Sequence, residues 1–241
     1  MASLDRMISS SRRALEQRRD ARPLADLERA VESLAPIRPF TEAIVGEEIC
    51  FVLRVDAADP ALLASADAAG VAGLEVKGEA VPPGFEETAL PVLHKGVLID
   101  PYQLYESRLA GADGVVLIAE ALDDEDALFT QMQVVAVHLG LDIVVQVDDE
   151  EQVDHVLELL DPDSFLIQNI RSDRNGADFE HTFSVLEEVP AGKVVLSQGG
   201  IRTREQAAAL EGAGVDAAGI GRWIYGEGVR DTLDVLRGDA R

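Results

Sequence analysis

Residues 91–119, PVLHKGVLIDPYQLYESRLAGADGVVLIA, hold one complete strand–helix–strand unit. PVLHK (91–95) is a short apolar run ending on lysine. A helix follows from about Pro101 to Ala110, and GVVLIA (114–119) is a second apolar run. Strands this apolar are buried on both faces, as a parallel sheet covered by helices requires. The alternation continues in both directions. Upstream, ICFVLRV (49–55) and GLEV (73–76) read as strands, separated by DPALLASADAAG, with Asp59 as N-cap, Pro60 at the first helical position and Gly70 as the stop. Downstream, a helix over 123–139 ends at Gly140. Then come DIVVQV (142–147), SFLIQN (164–169), KVVLS (193–197) and DAAGIG (216–221), each followed by a helical pattern, the last near 228–236.

Eight strands with their helices in 241 residues predict a closed (β/α)8 barrel, a single domain over 1–241. A doubly wound open sheet is the structural alternative, and the lack of a GxGxxG after the first strand weakens it. Residues 3–35 carry helical spacing, broken by Pro36 and Pro39, so 1–40 is expected to be a helical extension capping one end of the barrel. One unit is abnormal. Between GLEV and PVLHK, KGEAVPPGFEETAL leaves room for about one helical turn, so the second helix is short or missing.

The charge narrows the partners. Forty-five acids face 21 bases, a net of -24, and only three of the bases are lysines: Lys77, Lys95 and Lys193. Nucleic acid phosphates would be repelled. An acidic, lysine-poor surface suits a high-salt cytoplasm, and a GC-rich genome is the other source of arginine in place of lysine. The N-terminus has no apolar signal core and no run approaches ~20 apolar residues, so a cytoplasmic protein with no membrane partner is expected, monomer or homodimer. The lone Cys50 cannot form an intrachain disulfide and reads as a packed thiol.

Reactive groups in such barrels sit at the C-terminal strand ends. Those ends carry Arg54, Lys95, Glu120, Gln146, Asn169, Arg171 and Gln198. The last two strands run into glycine turns, SQGGI (197–201) and GIGRW (219–223). There Gly199, Gly200, Gly221 and Arg222 suit a phosphate. Lys95 is the strongest candidate, since a buried lysine can change protonation and an arginine cannot. It fits a general acid, a Schiff-base former or an anion holder. A strand-end lysine paired with a carboxylate such as Glu120 is the structural reading. His138, His155 and His181 fall in predicted helices, away from the strand ends, and alternation points His94 away from Lys95. The acidic runs DDED (123–126) and DDEE (148–151) sit at helix starts and read as capping.

With these residues in place, PVLHKGVLIDPYQLYESRLAGADGVVLIAEALDD (91–124) closely resembles the central block of the indole-3-glycerol phosphate synthase family. DIVVQVDDEEQ, FLIQNIRSD, VVLSQGGIRTREQ and AAGIGRWI are similar to its fifth to eighth strand motifs, in order, and LDRMISSSRRALEQRRD to its leading helix. The resemblance implies a β/α barrel acting as a carboxy-lyase in tryptophan biosynthesis. The family closes the indole ring of a phosphorylated anthranilate–ribulose adduct with loss of carbon dioxide and water, without metal or organic cofactor. It makes Lys95 the general acid, adds Asn169 and Arg171 after the sixth strand, and places Gly200 and Gly221 in the phosphate cradle. The departures imply a reduced or altered activity. The first-strand motif AEVKR with its Ser-Pro-Ser loop appears as CFVLRVDAAD, which puts Phe51 and Leu53 at the Glu and Lys. The fifth-strand Glu is Gln146, the seventh-strand Glu and Ser are Gln198 and Gly199, and an eighth-strand Ser is Arg222. Gln accepts no proton at neutral pH, so Gln146 cannot act as a general base. Glu120 is the expected substitute acid or base, with Arg54, Gln146, Arg171 and Gln198 as substrate contacts. A paralogue using Lys95 on another small phosphorylated or anionic substrate, and a non-catalytic ligand- or partner-binding barrel, are the alternatives.

Overall fold

The computed structural model describes residues 4–122, 125–170, 176–226 and 228–239. Arg171, and Asp123 and Asp124 of the first acidic run, lie outside the described residues. Eight parallel strands close in sequence order into a barrel: β1 (Cys50–Val55), β2 (Gly73–Lys77), β3 (Val92–Lys95), β4 (Gly114–Ile118), β5 (Asp142–Val147), β6 (Ser164–Gln168), β7 (Val194–Gln198) and β8 (Ala217–Ile220). β8 pairs back onto β1, with Val52 opposite Gly219.

The helices follow the chain. α1 (Leu4–Ala21), α2 (Leu24–Val31) and α3 (Phe40–Ala43) precede β1. α4 (Pro60–Ala68) follows β1, and α5 (Pro101–Leu109) follows β3. α6 (Ala119–Leu122) and α7 (Asp126–His138) follow β4. α8 (Glu150–Leu159), α9 (Phe179–Glu188), α10 (Arg204–Ala213) and α11 (Val229–Arg237) follow β5 to β8, the last after a 3-10 turn at Arg222–Gly226. No helix joins β2 to β3. Asp59 and Asp149 cap their helices by accepting from Leu62 N and Gln152 N. Asp59 precedes Pro60, whose missing N–H costs nothing at a helix start.

The extension is not one helix. Pro23 lacks the donor that would continue α1, so the chain restarts as α2. α1 lies along the outside of the barrel. Arg18 pairs with Glu106 at 2.9 Å, Tyr102 donates to the carbonyls of Arg18 and Arg22, and Ser11 donates to Val97 O. The cap is α3. Phe40 and Ile44 enter the N-terminal end of the barrel and pack on a central layer of Val52, Leu93, Val116, Val144, Leu166, Leu196 and Ala217. Gly73 makes room, since a Cβ there would lie 2.8 Å from the Phe40 ring. Thr41 N donates to Asp142 at the start of β5, fixing the plug. With that end sealed, the C-terminal strand ends form the open mouth.

Candidate active site

Side chains alternate along a strand, so two residues beyond the central layer another inward layer must follow. It consists of Arg54, Glu75, Lys95, Ile118, Gln146, Gln168, Gln198 and Gly219. This register corrects the simplest alignment of the first strand. Phe51 and Leu53 face outward into the core between barrel and helices, so neither can meet a substrate. The inward residues of β1 are Val52 and Arg54. The acid of the expected pair is therefore lost to valine, while the positive charge survives as Arg54, half-buried with its Nε in the interior.

Lys95 lies at the centre of this layer, 5% exposed. Its Nζ donates to Gln168 Oε1 at 2.9 Å and to Gln198 Oε1 at 2.6 Å. Burial pushes its ammonium from the usual range down to about 8. Glu75 and Asp148 pull it back up, while Lys77 and Arg54 push it further down. Two neutral carbonyls hold the ammonium in place with less bias toward the charged form than carboxylates would give. A lysine so placed gives up its proton more readily than one in water. Asp148, just past β5, is half-buried, and Gln146 donates to it at 3.5 Å. Burial raises its carboxyl above the ordinary range, against the pull of Lys95.

The other predicted residues separate. Gln146 and Gln198 are 9% exposed and belong to the inward layer. Asn169 is fully buried and turned away from the axis. Its Nδ2 donates to Gly199 O at 2.8 Å, and Ser197 and Thr182 donate to its Oδ1, so it locks the turn after β7. Gln168, one residue earlier, is the β6 group that reaches Lys95. Glu120 does not sit beside Lys95 as expected. It is on the exposed surface of α6, whose helical turn begins at Ala119 and carries Glu120 off the strand line.

At the glycine turns, Gly199 and Gly200 have φ of 105° and 73°. A Cβ on Gly200 would run into Ala177, so only glycine fits this conformation. Gly221 precedes the 3-10 turn, where Arg222 pairs with Asp56 at 2.6 Å across the end of β1. Tyr225 donates to Arg54 O, and burial with the nearby Asp56 pushes its phenol up to about 12.

His94 faces outward, as alternation predicts. Its Nε2 is 3.1 Å from Gly78 O, which only accepts, so Nε2 carries the proton and Nδ1 accepts from Ser107. Burial lowers it to about 4, leaving a neutral packing residue. His155 pairs with Asp126 on the surface. His181 corrects its expectation. It does lie in a helix, α9, but its Nε2 donates to Asp148 O, so it braces the loop at the mouth. The Cys50 thiol, half-buried, is raised by burial and is a poor nucleophile.

Three residues escaped the sequence reading: Glu75, Gln168 and Asp148. Glu75 did leave a signal. An acid inside the apolar run GLEVK, in phase with Lys77, marks an inward charge. Asp148 was absorbed into a capping run, although Asp149 is the actual cap.

A parallel barrel sealed at one end, with a buried lysine at its open mouth, has the architecture of a β/α-barrel enzyme. A family model described as indole-3-glycerol phosphate synthase matches residues 85–231. Proteins named indole-3-glycerol phosphate synthase from Acidithiobacillus ferrooxidans and Aromatoleum aromaticum are 32% and 31% identical, covering 93% and 94% of this chain and 92% and 97% of their own lengths. One from Variovorax paradoxus is 39% identical over 55% of the chain and 48% of its own. The chain belongs to the indole-3-glycerol phosphate synthase family. The family model begins at residue 85, beyond β1 and β2, and so leaves out the first strand, where the family's Glu and Lys motif is replaced.

Proposed function

We propose that this chain catalyses the family's ring closure, a decarboxylating and dehydrating lyase reaction on the phosphorylated anthranilate–ribulose adduct, with Lys95 as general acid. The observation that carries the reading is the seat of Lys95: buried at the end of β3 and held over the barrel axis by Gln168 and Gln198. Loss of water requires a proton on the departing oxygen, and an ammonium poised near neutral pH supplies one. Asp148 is the better candidate for the returning base. It is a raised carboxylate on which Lys95 acts directly, two residues beyond Gln146, whereas Glu120 sits on the exposed surface of α6.

The substrate phosphate is assigned to Gly199, Gly200, Gly221 and Arg222. Asp56 now holds Arg222, but both side chains are about half exposed, at 47% and 57%. Such a pair is worth about 0–1 kcal/mol, so a phosphate dianion displaces it readily. The test is direct: purified protein with the adduct should develop indole fluorescence, and Lys95→Ala should abolish it. Gln146 and Gln198, in place of carboxylates, favour a second reading, a paralogue using Lys95 on another phosphorylated acid. No indole, together with saturable binding of a substrate analogue lost in Lys95→Ala, would select it.

A further inference from the structure

Glu75 has no part in the proton transfers proposed above, yet it lies at the heart of the barrel. It is 1% exposed, flanked on β2 by Leu74 and Val76, which face the helices. A buried carboxylate is costly unless it is paired. The other buried carboxylate among the described residues, Asp113, meets the Arg38 guanidinium at 2.6 Å and accepts from two backbone N–H groups. Glu75 instead accepts, through Oε2, from the Nε2 of Gln198. That bond decides which way the amide points. With its N–H end taken by Glu75, Gln198 can present only its carbonyl to Lys95 Nζ, at 2.6 Å. Turned over, the amide would aim N–H at an ammonium. β8 completes the seat, because Gly219 leaves the space that Gln198 fills: a Cβ there would lie 3.0 Å from Gln198 Cγ.

We propose that Glu75 is a positioning residue that locks the Gln198 amide carbonyl-first onto Lys95 and sets a buried negative charge beneath it, where Gln146 and Gln198 supply none. Its catalytic consequence rests on the lyase reading above; the positioning itself does not. Among the described residues, the charged groups acting on Lys95 are Arg54 from β1, Glu75 and Lys77 from β2, and Asp148 beyond β5, while β6 and β7 contribute neutral amides. Among the described residues, removing Glu75 therefore leaves Arg54 and Lys77 opposed by Asp148.

The chain has three lysines, so selective 13C labelling at Cε gives a spectrum simple enough to follow each, with Lys77→Arg and Lys193→Arg for assignment. In Glu75→Gln, which keeps a side chain able to accept from Gln198 but removes the charge, the Lys95 midpoint should fall by about one pH unit. The alkaline limb of kcat should move with it, and KM should stay within about twofold. In Glu75→Asp, which keeps the charge but is too short to hold Gln198, kcat should fall while the Lys95 midpoint stays near that of the unsubstituted protein. An unmoved Lys95 midpoint in Glu75→Gln, or full kcat in Glu75→Asp, overturns the proposal. The titration needs no turnover. A chain that makes no indole yet shows the Glu75-dependent shift retains the positioning role and loses only the lyase reading.

Discussion

Lysine ordinarily keeps its proton well above neutral pH, and Lys95 does not, because burial outweighs the two carboxylates that act on it. For a general acid the sign follows directly: the protonated form is the active one. Activity should hold up to a pH of about 8 and fall above it, and kcat against pH should show that alkaline limb. Lys95→Ala should lower kcat by roughly 10²–10⁴-fold, the usual worth of a positioned acid. The Gln198–Glu75 contact gives a second expectation. Gln198→Glu removes the donor to Glu75 and sets two carboxylates together, costing roughly 1–3 kcal/mol in urea unfolding. The double variant Glu75→Gln with Gln198→Glu restores one donor and one acceptor, and should recover most of that loss, a non-additive result. Lys95 was legible in the sequence because lysine is rare in this chain and this one ends an apolar strand. Arg54 was legible as a strand-end charge. The inward turn of Val52 was not, since CFVL is apolar on both faces and only Arg54, near the end of the strand, marks a side.

Among the elements, the strands were readable almost to the residue because a closed parallel barrel buries both faces and leaves them as apolar runs. The missing helix between β2 and β3 was readable from Pro82, Pro83 and Gly84. The plug was not. Four residues, Phe40–Ala43, carry too little periodicity to announce a helix, and only their seat against seven strands gives them a role. Phe40→Ala should cost about 3–5 kcal/mol, read by thermal or urea unfolding, because it empties the barrel floor. The loop after β1 supports a functional prediction. Asp56 opposes any phosphate at the glycine turns and ties up Arg222. Asp56→Asn should therefore lower KM for a phosphorylated substrate severalfold while leaving kcat within about twofold. An unchanged KM would place the phosphate elsewhere.

At the scale of the whole molecule the controlling quantity is the charge of -24. If every base paired with an acid, 24 acids would still face one another across the surface. The ion pairs in the described part of the chain are mostly exposed, such as Arg29–Asp26 and Arg222–Asp56, and pairs of that kind add little. Repulsion among the excess carboxylates therefore outweighs attraction at long range, and salt should relieve more than it removes. The screening length falls from about 30 Å at 0.01 M to about 3 Å at 1 M, from roughly the span of the barrel to less than the gap between neighbouring side chains. The midpoint of thermal unfolding, followed by circular dichroism, should rise steadily across that range of sodium chloride. Chloride is the salt to use, since sulfate would also strengthen apolar burial and blur the cause. The site should respond oppositely. Arg54, Lys77 and Lys95 gather at one mouth, and their attraction for an anionic substrate is screened by the same ions. A rising unfolding midpoint together with a rising KM would separate the two fields, that of the surface and that of the mouth. A midpoint that falls with salt would show that the local pairs, not the net charge, govern stability.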